Sequence, residues 1–166
     1  MKDHRCNCNN FFVLYGQALI LEKLGLDYPV DTYYCIEPFF STDLLGRHKF
    51  EKGDVVSIKD INKSVRNCVV PQWTVDQVLR WFRVIHQIDV QCSFTSFKTW
   101  AVHIEDNSEN PMFEPIDMDE EFSEHIDAEI EAINMVLSHF IKNNPEMFED
   151  YVDDVFEGET ICNCKC

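Results

Sequence analysis

The chain has 166 residues, about the length of one domain and long enough to bury a sizeable core without disulfides or metals. Hydrophobic residues make up 45% of it and aromatic residues 13%, which excludes an intrinsically disordered chain. The net charge of −16 disfavours direct binding to nucleic acid or to an anionic membrane.

The sequence predicts a single cytoplasmic domain over residues 1–166. No run approaches the roughly 20 apolar residues of a membrane span, because Gly16 and Gln17 interrupt the longest candidate, 11–21. The first residues also lack the small-residue cleavage site of a signal peptide.

The first predicted element is a helix that follows Asn9 or Asn10, either of which can cap it, and continues to about Leu24. Apolar residues recur near the helical period along this stretch. Gly25 is a typical helix stop, and a first strand is predicted at 31–36.

Residues 37–53 are predicted to form a long irregular connection, because proline and glycine residues punctuate them. Short strands are predicted at 54–58 and 67–70, where β-branched residues are concentrated. We expect the strands at 31–36 and 54–58 to extend the sheet formed by the second half of the chain.

A capping box marks the start of the next helix, since Thr74 is followed three residues later by Gln77. Alternating apolar and polar residues then predict a hairpin of two strands, 89–97 and 99–105. A second long amphipathic helix follows an acidic loop and ends at the residues 143–145.

The predicted fold class is α+β, with a small antiparallel sheet covered on one face by amphipathic helices. Its centre is a helix–strand–strand–helix unit at 74–142, in which both helices can cover the same face. A short helix is predicted at 148–156 and stopped by Gly158.

Four core-facing stretches carry a resemblance to a known family: LEKLGLDYP at 21–29, PQWTVDQVLRWFRVIH at 71–86, WAVHI at 100–104 and EIEAINMVL at 129–137. They resemble a family of small uncharacterised proteins encoded by phages, prophages and mobile elements of gut bacteria. The resemblance implies an α+β fold and a viral or mobile-element origin, and it brings no known catalytic residues.

The acidic residues are concentrated in the last third of the chain. Residues 1–104 carry 12 Lys and Arg against 11 Asp and Glu, whereas residues 105–166 carry 2 against 19. The first part is therefore near neutral, at +1, and the rest has a net charge of −17. Such a surface attracts basic proteins or cations, although a merely solubilising face is the simpler interpretation.

Acidic residues spaced three or four apart predict carboxylates along one face of each of two helices. Neighbouring carboxylates there would be about 5–6 Å apart, close to the spacing of phosphates along a nucleic-acid strand. We therefore expect a host protein with a basic surface as the partner. The predicted partner-binding residues are Asp117, Glu120, Glu121, Glu124, Glu146, Glu149, Asp150, Asp153 and Asp154.

The basic residues are concentrated between positions 47 and 66, which suggests an alternative site for a nucleotide signal. Its ligand-binding residues would be Arg47, Lys49, Lys59, Lys63 and Arg66, with aromatic side chains from Trp73, Trp81 and Trp100. This pocket could form at a homodimer interface. The simpler interpretation is a basic face that neutralises acidic helices of the same chain or of a second copy.

Eight cysteines in an expected cytoplasmic protein point to metal or free thiols, because disulfides are disfavoured there. Cysteine-bearing tails at 1–9 and 159–166 suggest one structural zinc, if the two ends meet. Its ligands would be Cys6, Cys8, Cys162 and Cys164. The alternative is no cofactor, with reduced tails or disulfides formed after purification. The three cysteines away from the tails, Cys35, Cys68 and Cys92, are expected to be small buried hydrophobic residues.

The six histidines form no recognisable catalytic motif, and although Glu121 and His125 are spaced to share a metal on a helix, such pairs are common in acidic helices. We therefore predict that the protein is not an enzyme. The leading hypothesis is a phage or mobile-element interaction protein that blocks or sequesters a host component, with counter-defence as a suggested role. Alternatives are a protein that sequesters a nucleotide signal and a zinc-stabilised accessory factor.

Overall fold

A computed structural model of the chain describes residues 12–43, 46–57, 68–118 and 121–148. Within these ranges the protein has three α-helices, two three-stranded antiparallel sheets and a separate two-stranded ribbon. The helices are α1 (Tyr15–Lys23), α2 (Val75–Trp81) and α3 (His125–Asn143). This architecture confirms the α+β class and the helix–strand–strand–helix order of the second half.

The N-terminal sheet has the strand order β4-β1-β5. Its strands are β1 (Thr32–Cys35), β4 (Val55–Ser57) and β5 (Val69–Pro71). The three strands were predicted, but the expectation that those at 31–36 and 54–58 extend the sheet of the second half is wrong. Both neighbours of β1 come from the first half of the chain, so this sheet is complete without the later hairpin.

The segment 37–53 is not irregular, because it contains the ribbon of β2 (Phe39–Asp43) and β3 (Gly46–Phe50). The residues that suggested a loop lie at the strand ends instead. Pro38 precedes β2, and Gly53 follows β3 in a turn where its φ of +89° suits glycine.

The C-terminal sheet has the order β6-β7-β8, with β6 (Ile88–Phe94), β7 (Trp100–Asp106) and β8 (Ile116–Asp117). The hairpin of β6 and β7 was predicted, whereas β8 was not, since two residues are too few to show a period. Even-numbered positions of the hairpin face α3, and those away from the hairpin tip, including Val90 and Ile104, are buried. Their odd-numbered neighbours lie on the opposite face of the sheet.

Helix α3 presents one apolar face to the core and ends before Pro145, as predicted. Helix α1 is different, because Gly16 through Leu21 are all buried and the helix has no solvated face. The helix also begins at Tyr15 rather than after Asn9 or Asn10, which lie outside the described residues. Phe12 is extended and bridges Thr74, so the helix cannot include it.

Three further predictions about the ends of the chain concern residues that the structure does not describe. The predicted helix at 148–156 is described only at Phe148, which is buried. The tails at 1–9 and 159–166 also lie outside the described ranges.

None of the described helices combines the length and apolarity needed to cross a membrane.

Helix α2 ends in a π-helical turn, Phe82–His86, followed by Gln87 in the left-handed region at φ 59°. The imidazole of His86 lies between two aromatic rings, with centroid distances of 4.4 Å to Trp81 and 4.8 Å to Phe140. Its Nε2 atom is buried and has no hydrogen-bond partner among the described residues. Burial lowers the pKa of His86, although the charge of Asp106 opposes that effect.

We expect His86→Phe to make thermal stability less dependent on pH between 7.5 and 5.5. When folding lowers the pKa of a histidine, the contribution of that histidine to stability is complete at pH values above its unfolded pKa of about 6.5. That contribution is lost as the pH falls below this value, because the unfolded chain then binds the proton more readily. Phenylalanine cannot be protonated and leaves no buried nitrogen unbonded. The measurement is the melting temperature at both pH values.

His139 should account for part of the remaining pH dependence, since burial and then Lys142 lower its pKa as well. Combining His86→Phe with His139→Gln should therefore flatten the profile further. An unchanged loss of melting temperature from pH 7.5 to 5.5 in the double variant would contradict this assignment.

Candidate protein-interaction surface

The face of the C-terminal sheet that points away from α3 is polar and accessible. We call it the open face. Strand β6 contributes Asp89 and Gln91 to it, β7 contributes His103 and Glu105, and β8 contributes Asp117. Gln91 and Asp117 are exposed, and the other three are partly exposed. These residues lie together because the three strands are paired in register.

A hydrogen-bonded pair occupies the centre of the open face. His103 Nδ1 lies 2.7 Å from Asp117 Oδ1, across a directly paired position of β7 and β8. The Asp117 side chain keeps 85% of its surface exposed. The second carboxylate oxygen of Asp117 is thus available to a partner molecule.

Asp89 is the member of the open face whose charge is already neutralised within the chain. Gln91 Nε2 donates to its carboxylate over 2.9 Å, and Arg83 Nε donates over 2.7 Å. The hydrogen bond from Gln91 lowers the pKa of Asp89, and Arg83 adds to this effect against the opposing influence of burial. Asp89 is therefore ionised at neutral pH and held in place.

Glu121 extends the open face toward the tip of the hairpin. Its Oε2 accepts a 2.8 Å hydrogen bond from Thr99 Oγ1, which lies 2.7 Å from the hydroxyl oxygen of Thr95. The next residue, Phe122, bridges Trp100 as an isolated pair beyond β8. Glu121 is therefore part of an extended segment beside β7.

Helix α3 begins later than the acidic spacing suggested. Its N-cap is Glu124, which is exposed and makes no capping hydrogen bond with its side chain. Asp117 lies in a strand and Glu121 in an extended segment, so the interpretation of these residues as one helical face is wrong. Strand pairing, rather than helical spacing, brings Asp117 and Glu121 onto one surface.

Of the other predicted partner-binding residues, the structure describes Glu124 and Glu146. Glu146 is exposed in a short 3₁₀ turn, Pro145–Met147, beyond the C-terminal end of α3. A helix of 19 residues is about 28 Å long, so Glu146 and Glu124 lie at opposite ends. Four acidic positions of the terminal helix and one loop position lie outside the described residues: Glu149, Asp150, Asp153, Asp154 and Glu120.

Sequence reasoning missed two acidic members of the open face, Asp89 and Glu105. Both lie outside the runs of acidic residues that suggested the interaction surface. The signal that could have identified them is the alternation along 89–105, which already assigned odd-numbered positions to the polar side.

Aromatic side chains lie beside the acidic residues at the hairpin tip. Phe97 is 77% exposed and Phe94 60% exposed. The Phe94 ring packs at 5.2 Å from Trp100, whose other neighbour is His125 at 4.3 Å. Phe94 and Trp100 lie on the α3 side of the sheet, whereas Phe97 lies at the hairpin tip near Glu121, where an exposed aromatic ring suits a protein interface.

The structure describes only part of the alternative nucleotide site. Lys49 forms an ion pair with Glu51, and Arg47 lies in β3. Trp73 and Trp81 are almost completely buried in the core, so neither can stack on a ligand. The other three basic positions, Lys59, Lys63 and Arg66, lie outside the described residues.

The described cysteines are unpaired and have the character of hydrophobic side chains. Cys35 is buried, and Cys68 and Cys92 are partly buried. Burial and the nearby Glu129 raise the pKa of Cys92 to about 11. A thiol with so high a pKa is a poor nucleophile at neutral pH.

No metal site is formed by the described part of the chain, in which no group of three or more His, Cys, Asp or Glu could hold an ion. The predicted pair is not brought together, because Glu121 bonds Thr99 and His125 Nδ1 lies 3.7 Å from Glu129 Oε2. The four proposed zinc ligands, Cys6, Cys8, Cys162 and Cys164, lie outside the described ranges.

Comparison of the chain with protein-family models, with curated proteins and with solved structures finds no match.

Proposed function

We propose that the protein is a non-enzymatic interaction protein that binds a basic segment of another protein through the open face. One observation supports this most directly. Glu105, Asp117 and Glu121 lie on or beside the open face, and none of them forms an ion pair with a Lys or Arg of the described residues. Their negative charge is therefore available to a partner.

Electrostatics favour a basic protein as that partner. The chain has a net charge of −16, so approach of a cationic surface is accelerated and approach of an anionic one is opposed. The strands hold Glu105 and Asp117 in fixed positions, which reduces the entropy lost on binding. The exposed Phe97, at the hairpin tip, supplies apolar contact area at the end of this surface.

The proposed biological role is to occupy a basic host surface that would otherwise contact nucleic acid. The resemblance to proteins of phages and mobile elements supports such a setting. A protein of this kind would act by blocking or sequestering its target, including a component of bacterial defence, without chemical change to it.

The test is a pair of threefold variants that each remove three negative charges. The open-face variant neutralises residues on or beside the proposed surface: Glu105→Gln, Asp117→Asn and Glu121→Gln. The control variant neutralises exposed carboxylates elsewhere: Asp27→Asn, Asp31→Asn and Glu109→Gln. Both chains have the same net charge, so any difference between them reports on location.

We expect the open-face variant to bind Lys- and Arg-rich peptides about tenfold more weakly than the natural chain, which corresponds to about 1.4 kcal/mol. The control variant should lose much less affinity for the same peptides. The measurement is fluorescence polarisation of labelled peptides at low and high salt, where the natural chain should weaken with salt. Equal losses in both variants would show that net charge alone determines binding.

A second comparison separates this proposal from the nucleotide alternative. In a phage-protection assay the open-face variant should lose activity, while Lys59→Gln combined with Lys63→Gln should keep it. The opposite result would overturn the proposal in favour of sequestration of a nucleotide signal.

A further inference from the structure

Strand β6 is an edge strand with an unpaired outer side. Thr95 N–H donates to Thr99 C=O, and Asn107 N–H donates to Gln87 C=O, so odd-numbered positions of β6 direct their main-chain groups toward β7. The main-chain groups of Val90 and Cys92 point the other way. No residue in the described part of the chain bonds to them.

This edge lacks the devices that usually prevent strand pairing. Edge strands are commonly short, or interrupted by proline, lysine or bulges. Strand β6 is seven residues long and contains neither proline nor lysine, and it pairs with β7 without a bulge. Its one charged residue, Asp89, is already paired with Arg83.

Exposed apolar side chains lie at both ends of the same strand. Val84 and Ile85, in the turn just before β6, are 60% and 59% exposed. Phe94, the last residue of β6, is 60% exposed. If two such strands pair antiparallel, the beginning of one lies next to the end of the other, and these groups meet.

The charge of the edge also differs from that of the whole chain. Residues 80–95 contain Arg80, Arg83 and Asp89 and no other charged residue, which gives a net charge of +1 by 2 against 1. Two copies can therefore approach through this edge without like charges in contact. Salt screens the more distant acidic residues beyond about 8 Å at physiological ionic strength.

We propose that two copies of the chain pair antiparallel through β6 and form one continuous six-stranded sheet. The two-fold axis passes through the pair formed by Gln91 of one copy and Gln91 of the other. We choose this register because it pairs all seven residues of the strand. Val90 then lies opposite Cys92 of the second copy, Asp89 opposite Ser93, and Ile88 opposite Phe94. The pairing forms about eight main-chain hydrogen bonds.

The test compares two lysine substitutions on the exposed side of β6. Gln91→Lys places two ammonium groups directly opposite each other at the axis, where the Cα atoms are about 4.5 Å apart. Ser93→Lys adds the same charge but places it opposite Asp89 of the second copy. Both positions are exposed, and a lysine at position 91 can donate to Asp89 in place of the Gln91 amide, so we expect the protomer to keep its fold.

Sedimentation velocity in reducing buffer, over a range of concentrations, measures the dimer. We expect the natural chain to dimerise, Gln91→Lys to raise the dissociation constant at least about tenfold, and Ser93→Lys to leave it unchanged or lower it. Higher salt should strengthen the dimer, because it screens repulsion between two acidic chains. Binding of a basic partner to the open face should respond to salt in the opposite direction.

Three results would overturn the proposal. A natural chain that remains monomeric at about 100 µM would exclude an affinity relevant to pairing. Equal weakening by Gln91→Lys and Ser93→Lys would exclude this register. A dimer that neither substitution weakens, in variants whose circular dichroism and melting match the natural chain, would place the interface elsewhere.

Discussion

Replacing Trp73 by alanine should lower the free energy of unfolding by about 3–5 kcal/mol, the largest effect expected of any single substitution discussed for this chain. Trp73 has no exposed surface, and its Nε1 donates a 3.0 Å hydrogen bond to Tyr28 C=O. Its own C=O accepts from Val13 N–H. The indole thus fills the core between the N-terminal segment and β5, and its removal leaves a cavity and an unbonded carbonyl.

The matched control is Trp100→Ala, the same chemical change at a partly exposed position. Trp100 contacts Phe94 and His125 but retains access to solvent. Trp100→Ala should therefore lower the free energy of unfolding by about half as much as Trp73→Ala, or less. Urea unfolding followed by circular dichroism gives both values. If the two substitutions cost the same, the central position assigned to Trp73 is wrong.

The second large effect is expected for Gln17→Ala, which should cost about 2–4 kcal/mol. Gln17 is completely buried, and its side-chain amide joins α1 to α3. Its Oε1 accepts from Leu14 N–H over 2.8 Å, and its Nε2 donates to Asn134 Oδ1 over 2.6 Å. Alanine would leave the Leu14 donor and the Asn134 acceptor without this partner in a low-dielectric region.

The control is Gln77→Ala, which removes the residue at the same position of α2. Gln77 Oε1 accepts from Thr74 N–H over 2.9 Å, but Gln77 is partly exposed and water can replace it. We therefore expect a loss of about 1 kcal/mol. The same urea measurement compares the two helix starts, and a larger loss at Gln77 than at Gln17 would contradict the role given to the buried network.

Sequence reasoning identified two acidic residues of the candidate surface, but the helical spacing that it used to select them was the wrong reason. Asp117 and Glu121 were identified as acidic and exposed, and both lie on or beside the open face. Their assignment to a helix failed, because a spacing of four residues is compatible with either a helix or two extended segments. Asp89 and Glu105 were missed because the prediction of the surface relied on runs of acidic residues and did not use the alternation of polar and apolar residues along the strands.

Local signals determined the elements that the sequence predicted well. The capping box at Thr74 and Gln77, the proline at 145 and the alternation of β6 and β7 each act over a few residues, so one chain segment is enough to recognise them. The fold class and the order of the second half follow from these signals alone.

Tertiary structure decided the features that depend on which distant segments meet. The sequence contained strands at 31–36 and 54–58, but only the pairing of β1 with β4 and β5 placed them in a sheet of their own. In the same way, pairing of β7 with β8 placed Asp117 opposite His103. Strand pairing depends on contacts between residues far apart in the chain. The entropy cost of closing the intervening loops and the gain from packing are set by these distant contacts, so no short stretch of sequence predicts the pairing.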